Sequence, residues 1–97
     1  MSHGQSLSLF AWNINGKVSK LENCDVYRAL SQYDIVILSE LKTDYKIDVP
    51  GYVAVRSSVV KGEGARGGVL VLFKNFLWHN VKVKQVLKDQ VWFQVYP

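Results

Sequence analysis

Ile35-Val36-Ile37-Leu38-Ser39-Glu40 is the run from which the rest of this chain can be read. Its four consecutive apolar residues leave no polar face, which is how a strand reads when both sides of its sheet are covered. A carboxylate stands at the exit. In open α/β sheets ligands bind at the carboxyl ends of parallel strands, because the chain turns there and side chains converge on a crevice. Glu40 is therefore the first residue to suspect of chemistry, beside the plainer reading of a solvated glutamate at a strand end.

Upstream, Ser6, Ser8, Phe10 and Trp12 alternate with Leu7, Leu9 and Ala11, which predicts a first strand over Ser6 to Asn13. Asn13-Ile14-Asn15-Gly16 ends it. Asn and Gly tolerate positive φ and Asn side chains bond nearby backbone, so a turn alone would account for the motif. The next stretch carries Val18 and Leu21, then Val26, Ala29, Leu30 and Tyr33, whose spacing of three and four suits a short helix, with Asn23 or Asp25 positioned to cap its first turn. Strand, helix and strand make a βαβ unit with its two strands parallel. Asn13 and Glu40 then leave the sheet at the same edge, and an amide beside a carboxylate is more specific than either residue alone.

Downstream, Leu41 to Pro50 reads as a polar loop with Lys42, Asp44, Lys46 and Asp48, closed by the turn signal Pro50-Gly51. Val53 to Val60 and Val69 to Phe73 read as two strands of a hairpin. Between them lies the glycine-rich segment from Lys61 to Gly68. With Lys61 and Arg66 it could cradle phosphate, but it lacks a P-loop ending and leads into a strand, so a hairpin tip ranks first. Lys74 to Asn80 is a connection, and His79 within it reads as a packing or surface residue. Val81 to Val86 alternates, with Val81 and Val83 facing in and Lys82 and Lys84 facing solvent, where lysines discourage edge pairing. Lys88-Asp89-Gln90 turns the chain into a last strand, Val91 to Tyr96. The expected fold is α/β, one mixed sheet of about six strands with a helix on one face.

The chain has 97 residues, 48% of them hydrophobic, which suits one small domain or a piece of one. Twelve Lys plus Arg against eight Asp plus Glu give a net charge of +4, and the pI is near 9.3. That balance is compatible with a polyanionic partner such as DNA, and equally with a solvated basic surface, since no run of five like charges occurs. The single Cys24 cannot form an internal disulfide, which fits an intracellular setting, cytoplasmic or nuclear. No apolar run is long enough to cross a bilayer. Residues 1–5 are short and polar, and read as a flexible start without a signal peptide.

Taken in order, several motifs resemble the N-terminal half of the endonuclease/exonuclease/phosphatase superfamily. These are Mg²⁺-dependent phosphodiesterases that include apurinic endonucleases and the endonuclease domains of non-LTR retrotransposons. The resemblance rests on Phe10-Ala11-Trp12-Asn13-Ile14-Asn15-Gly16, Tyr33 to Glu40, Pro50-Gly51-Tyr52, Arg66-Gly67-Gly68-Val69-Leu70-Val71-Leu72, and Val91-Trp92-Phe93-Gln94-Val95. It spans almost the whole chain, and Trp-Asn-Ile-Asn-Gly looks most like the retrotransposon enzymes. It implies half of a four-layer α/β sandwich. It implies that Glu40 ligates Mg²⁺ or Mn²⁺ and that Asn13 supports the metal and the catalytic network. Asn15 falls where many apurinic endonucleases have Asp, and Lys42 where some nucleases have Lys. Leu41 departs from the family's usual Thr.

Mg²⁺ takes oxygen ligands from one or two carboxylates plus substrate phosphate, and Lys42 and Arg66 would hold the nucleic-acid backbone. The family's Gly-Asp-x-Asn and Ser-Asp-His motifs, which activate water and contact phosphate, do not occur in the sequence. The expectation is therefore a truncated phosphodiesterase, inactive alone. Keeping one half should also expose an apolar sheet face carrying parts of Ile35 to Leu38 and Val69 to Phe73, which a homodimer would cover. Two alternatives stand beside this: an assembly module with a vestigial metal site, and a non-cleaving nucleic-acid-binding protein using Lys42, Lys61, Arg66 and Lys74.

Overall fold

A computed structural model describes residues 6–43, 47–57, 68–87 and 90–96. The chain forms β1 (Leu9–Asn13), a 3-10 helix (Val18–Glu22), α1 (Cys24–Leu30), β2 (Ile35–Ser39), β3 (Tyr52–Arg56), β4 (Val69–Lys74), a second 3-10 helix (Asn75–Asn80), β5 (Val81–Val86) and β6 (Val91–Val95). The helical span divides because Asn23, in extended conformation, restarts the chain. Its side chain accepts from the backbone N–H of Asp25 at 2.8 Å and Val26 at 3.2 Å, capping α1.

The strands do not form one sheet. β1, β2, β4 and β3 lie in that order in a four-stranded sheet, while β5 and β6 pair only with each other among the described residues. This corrects the expectation of a single mixed sheet of about six strands that is half of a four-layer sandwich. β1 and β2 run parallel, as the intervening helix requires, and the β2–β4 and β4–β3 pairs are antiparallel. The final hairpin folds over the sheet face opposite α1 instead of extending an edge.

Each face of the four-stranded sheet therefore has its own core. Val36, Leu38, Leu70 and Leu72 pack with Ile14, Leu30 and Leu41 on the helical side. Ile35, Val71, Phe73 and Leu77 pack with Val81, Val91, Phe93 and Val95 on the hairpin side. Phe73 meets Phe93 edge to face, with ring centroids 4.9 Å apart. The apolar face expected to stand bare along Ile35 to Leu38 and Val69 to Phe73 is thus largely covered by the chain's own hairpin.

Coverage stops short of β1. Leu9 and Ala11 pair with Ile35 and Ile37, which belong to the hairpin side, yet both β1 residues are exposed. No helix of the described residues is long and apolar enough to cross a membrane. The glycine-rich tip, with Lys61 and Arg66, and the turn residues Lys88 and Asp89 lie outside the described residues.

Candidate functional site

The parallel register pairs Asn13 with Ser39, so Asn13 and Glu40 emerge at one rim. The contact continues past the strands. Ile14 N–H donates to the Ser39 carbonyl at 3.0 Å, and Gly16 N–H to the Glu40 carbonyl at 2.8 Å. The turn Asn13 to Gly16 and the segment Glu40 to Lys42 are therefore stitched together. Within the turn, Asn15 N–H donates to Asn13 Oδ1 at 3.1 Å, which fixes the Asn13 amide. Lys42 Nζ donates to Asn15 Oδ1 at 2.7 Å, and a side chain added at Gly16 would meet the Lys42 Cδ at 3.3 Å.

Backbone strain gathers here. Asn15, Glu40 and Lys42, with φ of 49°, 53° and 56°, are the non-glycine residues with left-handed backbone among the described residues. Such a conformation costs roughly 1–2 kcal/mol for an L-residue, less for Asn. Leu41, wholly buried between Glu40 and Lys42, offsets it: burying a leucine contributes about 1.5–3 kcal/mol. Leu41 N–H also donates to the Gly68 carbonyl at 3.2 Å. Glu40 and Lys42 are thereby held out in solvent while Leu41 anchors the segment.

The same rim gathers more than the sequence suggested. β3 is antiparallel to β4, which is antiparallel to β2, so the Arg56 end of β3 lies on the rim of Glu40. The Arg56 guanidinium donates to the Thr43 carbonyl, tying β3 to the segment after Glu40. Buried Ser57 closes the β3–β4 end, donating its N–H to the Val69 carbonyl and accepting from Val69 N–H at its Oγ, both at 2.8 Å. Arg56 was hidden because the alternation runs through it and predicts a strand continuing to Val60. Lys42 and Arg56 bring two cations to a rim carrying the carboxylate of Glu40, a mixture suited to a phosphodiester with a hard cation.

Asn13, Asn15, Glu40 and Lys42 all sit here, and all are exposed. Arg66 lies outside the described residues, and Lys74 is at the far end of β4, its ammonium 5.3 Å from the Tyr52 ring centre. Among the described residues no group of three or more His, Cys, Asp or Glu could hold a metal. No family model matches the sequence, and no curated protein matches it.

Proposed function

We propose that this chain binds a divalent cation together with a phosphodiester at the rim of Asn13, Asn15, Glu40 and Lys42. In this reading it is the N-terminal part of a Mg²⁺-dependent endonuclease of the apurinic and retrotransposon kind, and it does not cut alone. The observation that supports the reading is the parallel β1–β2 register, which pairs Asn13 with Ser39 and so brings Asn13 and Glu40 out at one rim.

Glu40 would hold the ion, with water and substrate phosphate completing its shell, and Asn13 Oδ1, which accepts from Asn15 N–H, keeps a second lone pair for the ion or its waters. Such a site suits an ion bridged to phosphate better than a resident one. A bound Mg²⁺ supplies Lewis-acid polarisation of the phosphodiester. The chain's own residues position and neutralise: Asn15 steers the Lys42 ammonium, and the buried Leu41 keeps Glu40 turned out of the strand. Neither Gly-Asp-x-Asn nor Ser-Asp-His occurs in the sequence. Loss of one general base costs about 10²–10⁴ in rate, and groups that act as a unit fail together. Supercoiled plasmid incubated with the chain and Mg²⁺ should therefore stay supercoiled. Nicking that disappears in Glu40→Gln would overturn the claim of inactivity.

A second reading, self-association, is favoured by β1. This strand is an edge of its sheet, and its Leu9 and the preceding Leu7 are about half exposed, beside exposed Ala11. A second copy docking along it would cover that strip. Light scattering should then report a dimer that Leu9→Lys dissociates, and a wild-type monomer at micromolar concentration would remove this reading.

A further inference from the structure

We propose that the outer face of the β5–β6 hairpin is a stacking platform for single-stranded nucleic acid, separate from the Glu40 rim. The inner residues Val91, Phe93 and Val95 pack on the core, which turns Trp92, Gln94 and Tyr96 outward. Lys82 stands opposite Gln94, and Gln85 opposite Trp92, across the ladder. A register shift between Val83 and Gln85 inserts Lys84 as an extra residue, and its ammonium reaches the Tyr96 hydroxyl at 3.4 Å.

Trp92 is 57% and Tyr96 40% exposed, although both are large aromatics. Their polar atoms are already engaged. Trp92 Nε1 donates to Gln90 Oε1 at 3.0 Å, and the Tyr96 hydroxyl donates to Gln94 Oε1 at 3.1 Å. With those partners made, much of what the rings offer to a ligand is apolar ring surface. The described part of residues 81–96 carries two lysines and no carboxylate.

Exposed rings interleaved with lysines are what a single strand requires: a face on which each base stacks and cations that follow the phosphates. Charge also decides against the other occupants. Protein interface cores are depleted in lysine, and lysines along an exposed strand oppose pairing with a second copy. Stacking and phosphate contacts do not read the 2′-hydroxyl, so an oligodeoxythymidine serves as the probe.

The test is fluorescence anisotropy of a labelled oligodeoxythymidine of about a dozen nucleotides, a length within the range of single-strand sites. The full chain is titrated in EDTA at several salt concentrations. Binding should saturate, weaken with salt, and be poorer for a duplex of equal length. Trp92→Ala should weaken it about 5- to 150-fold, the effect of one stacked base, while Trp92→Phe retains most of the affinity. Lys82→Ala and Lys84→Ala should each lower the log–log salt slope by about 0.7. Equal affinity for the duplex, or Trp92→Ala binding like wild type with an unchanged circular dichroism spectrum, would overturn the proposal. So would a Trp92→Ala variant that alters oligomeric state in light scattering but not affinity for the oligonucleotide.

Discussion

Glu40 takes a left-handed backbone, with φ of 53°, although it is not glycine, and so does Lys42 two residues later. Strain of this kind persists where surrounding structure over-determines it, and it gathers at sites that must present a side chain in a set direction. The sequence made the rim legible through Asn13 and Glu40, because a helix between two strands forces them parallel. It did not make the strain legible, since nothing in Glu40-Leu41-Lys42 favours positive φ. Tertiary contacts impose it: the buried Leu41 with its bond to Gly68, and the bond from Gly16 N–H to the Glu40 carbonyl. Glu40→Gly should consequently fold at least as well as the wild type, because glycine adopts this backbone without cost. Tyr52 carries a separate prediction. Its hydroxyl lies 2.7 Å from the Leu30 and Tyr33 carbonyl oxygens, to either of which its proton can be donated. Burial first, then the neighbouring Tyr27 and Asp34, raise its pKa above 10.0. The folded value exceeds the unfolded one, so the stability it contributes is complete below pH 10.0 and lost as pH climbs through the folded pKa. Tyr52→Phe should cost about 1 kcal/mol at neutral pH and show a shallower alkaline decline, read from urea midpoints at pH values on both sides of 10.

At the scale of elements, β2, β4 and the β5–β6 hairpin were readable from apolar runs and alternation, and their bounds agree with the structure to within a residue. Which sheet each strand joins was not readable. Alternation in Val81 to Val86 says that one face is buried, and it is silent on whether the strand extends a sheet or covers one. The deciding feature is the 3-10 helix Asn75–Asn80, expected only as a connection, which buries Leu77 and carries the chain from β4 onto the hairpin-side face. Phe73, fully buried on β4, meets half-buried Phe93 of β6 there. A double-mutant cycle on Phe73→Leu and Phe93→Leu should yield a coupling of about 0.5–1.5 kcal/mol. Additive effects would mean that the hairpin does not cover this face.

Over the whole molecule, two cores flank one sheet, and the two proposed sites lie at the ends of strands and on the outside of a hairpin. The expected bare face shrinks to the β1 strip of Leu7, Leu9 and Ala11, because the hairpin supplies the cover that a second half or a second copy was expected to provide. The proposed cation and phosphodiester site needs little more than the fold's parallel start: two strands ending together, an anchored loop, and cations beside one carboxylate. Composition could not reveal this, since it is the topology that brings Arg56 to the rim of Glu40 and Lys42. Its most direct test is paramagnetic broadening by Mn²⁺ in amide proton–nitrogen correlation spectra of the chain. Asn13, Asn15, Gly16, Glu40 and Lys42 should broaden at the lowest Mn²⁺ concentrations, and Glu40→Gly should abolish that selectivity while keeping the folded spectrum. Broadening centred elsewhere, or unchanged in Glu40→Gly, would contradict the account.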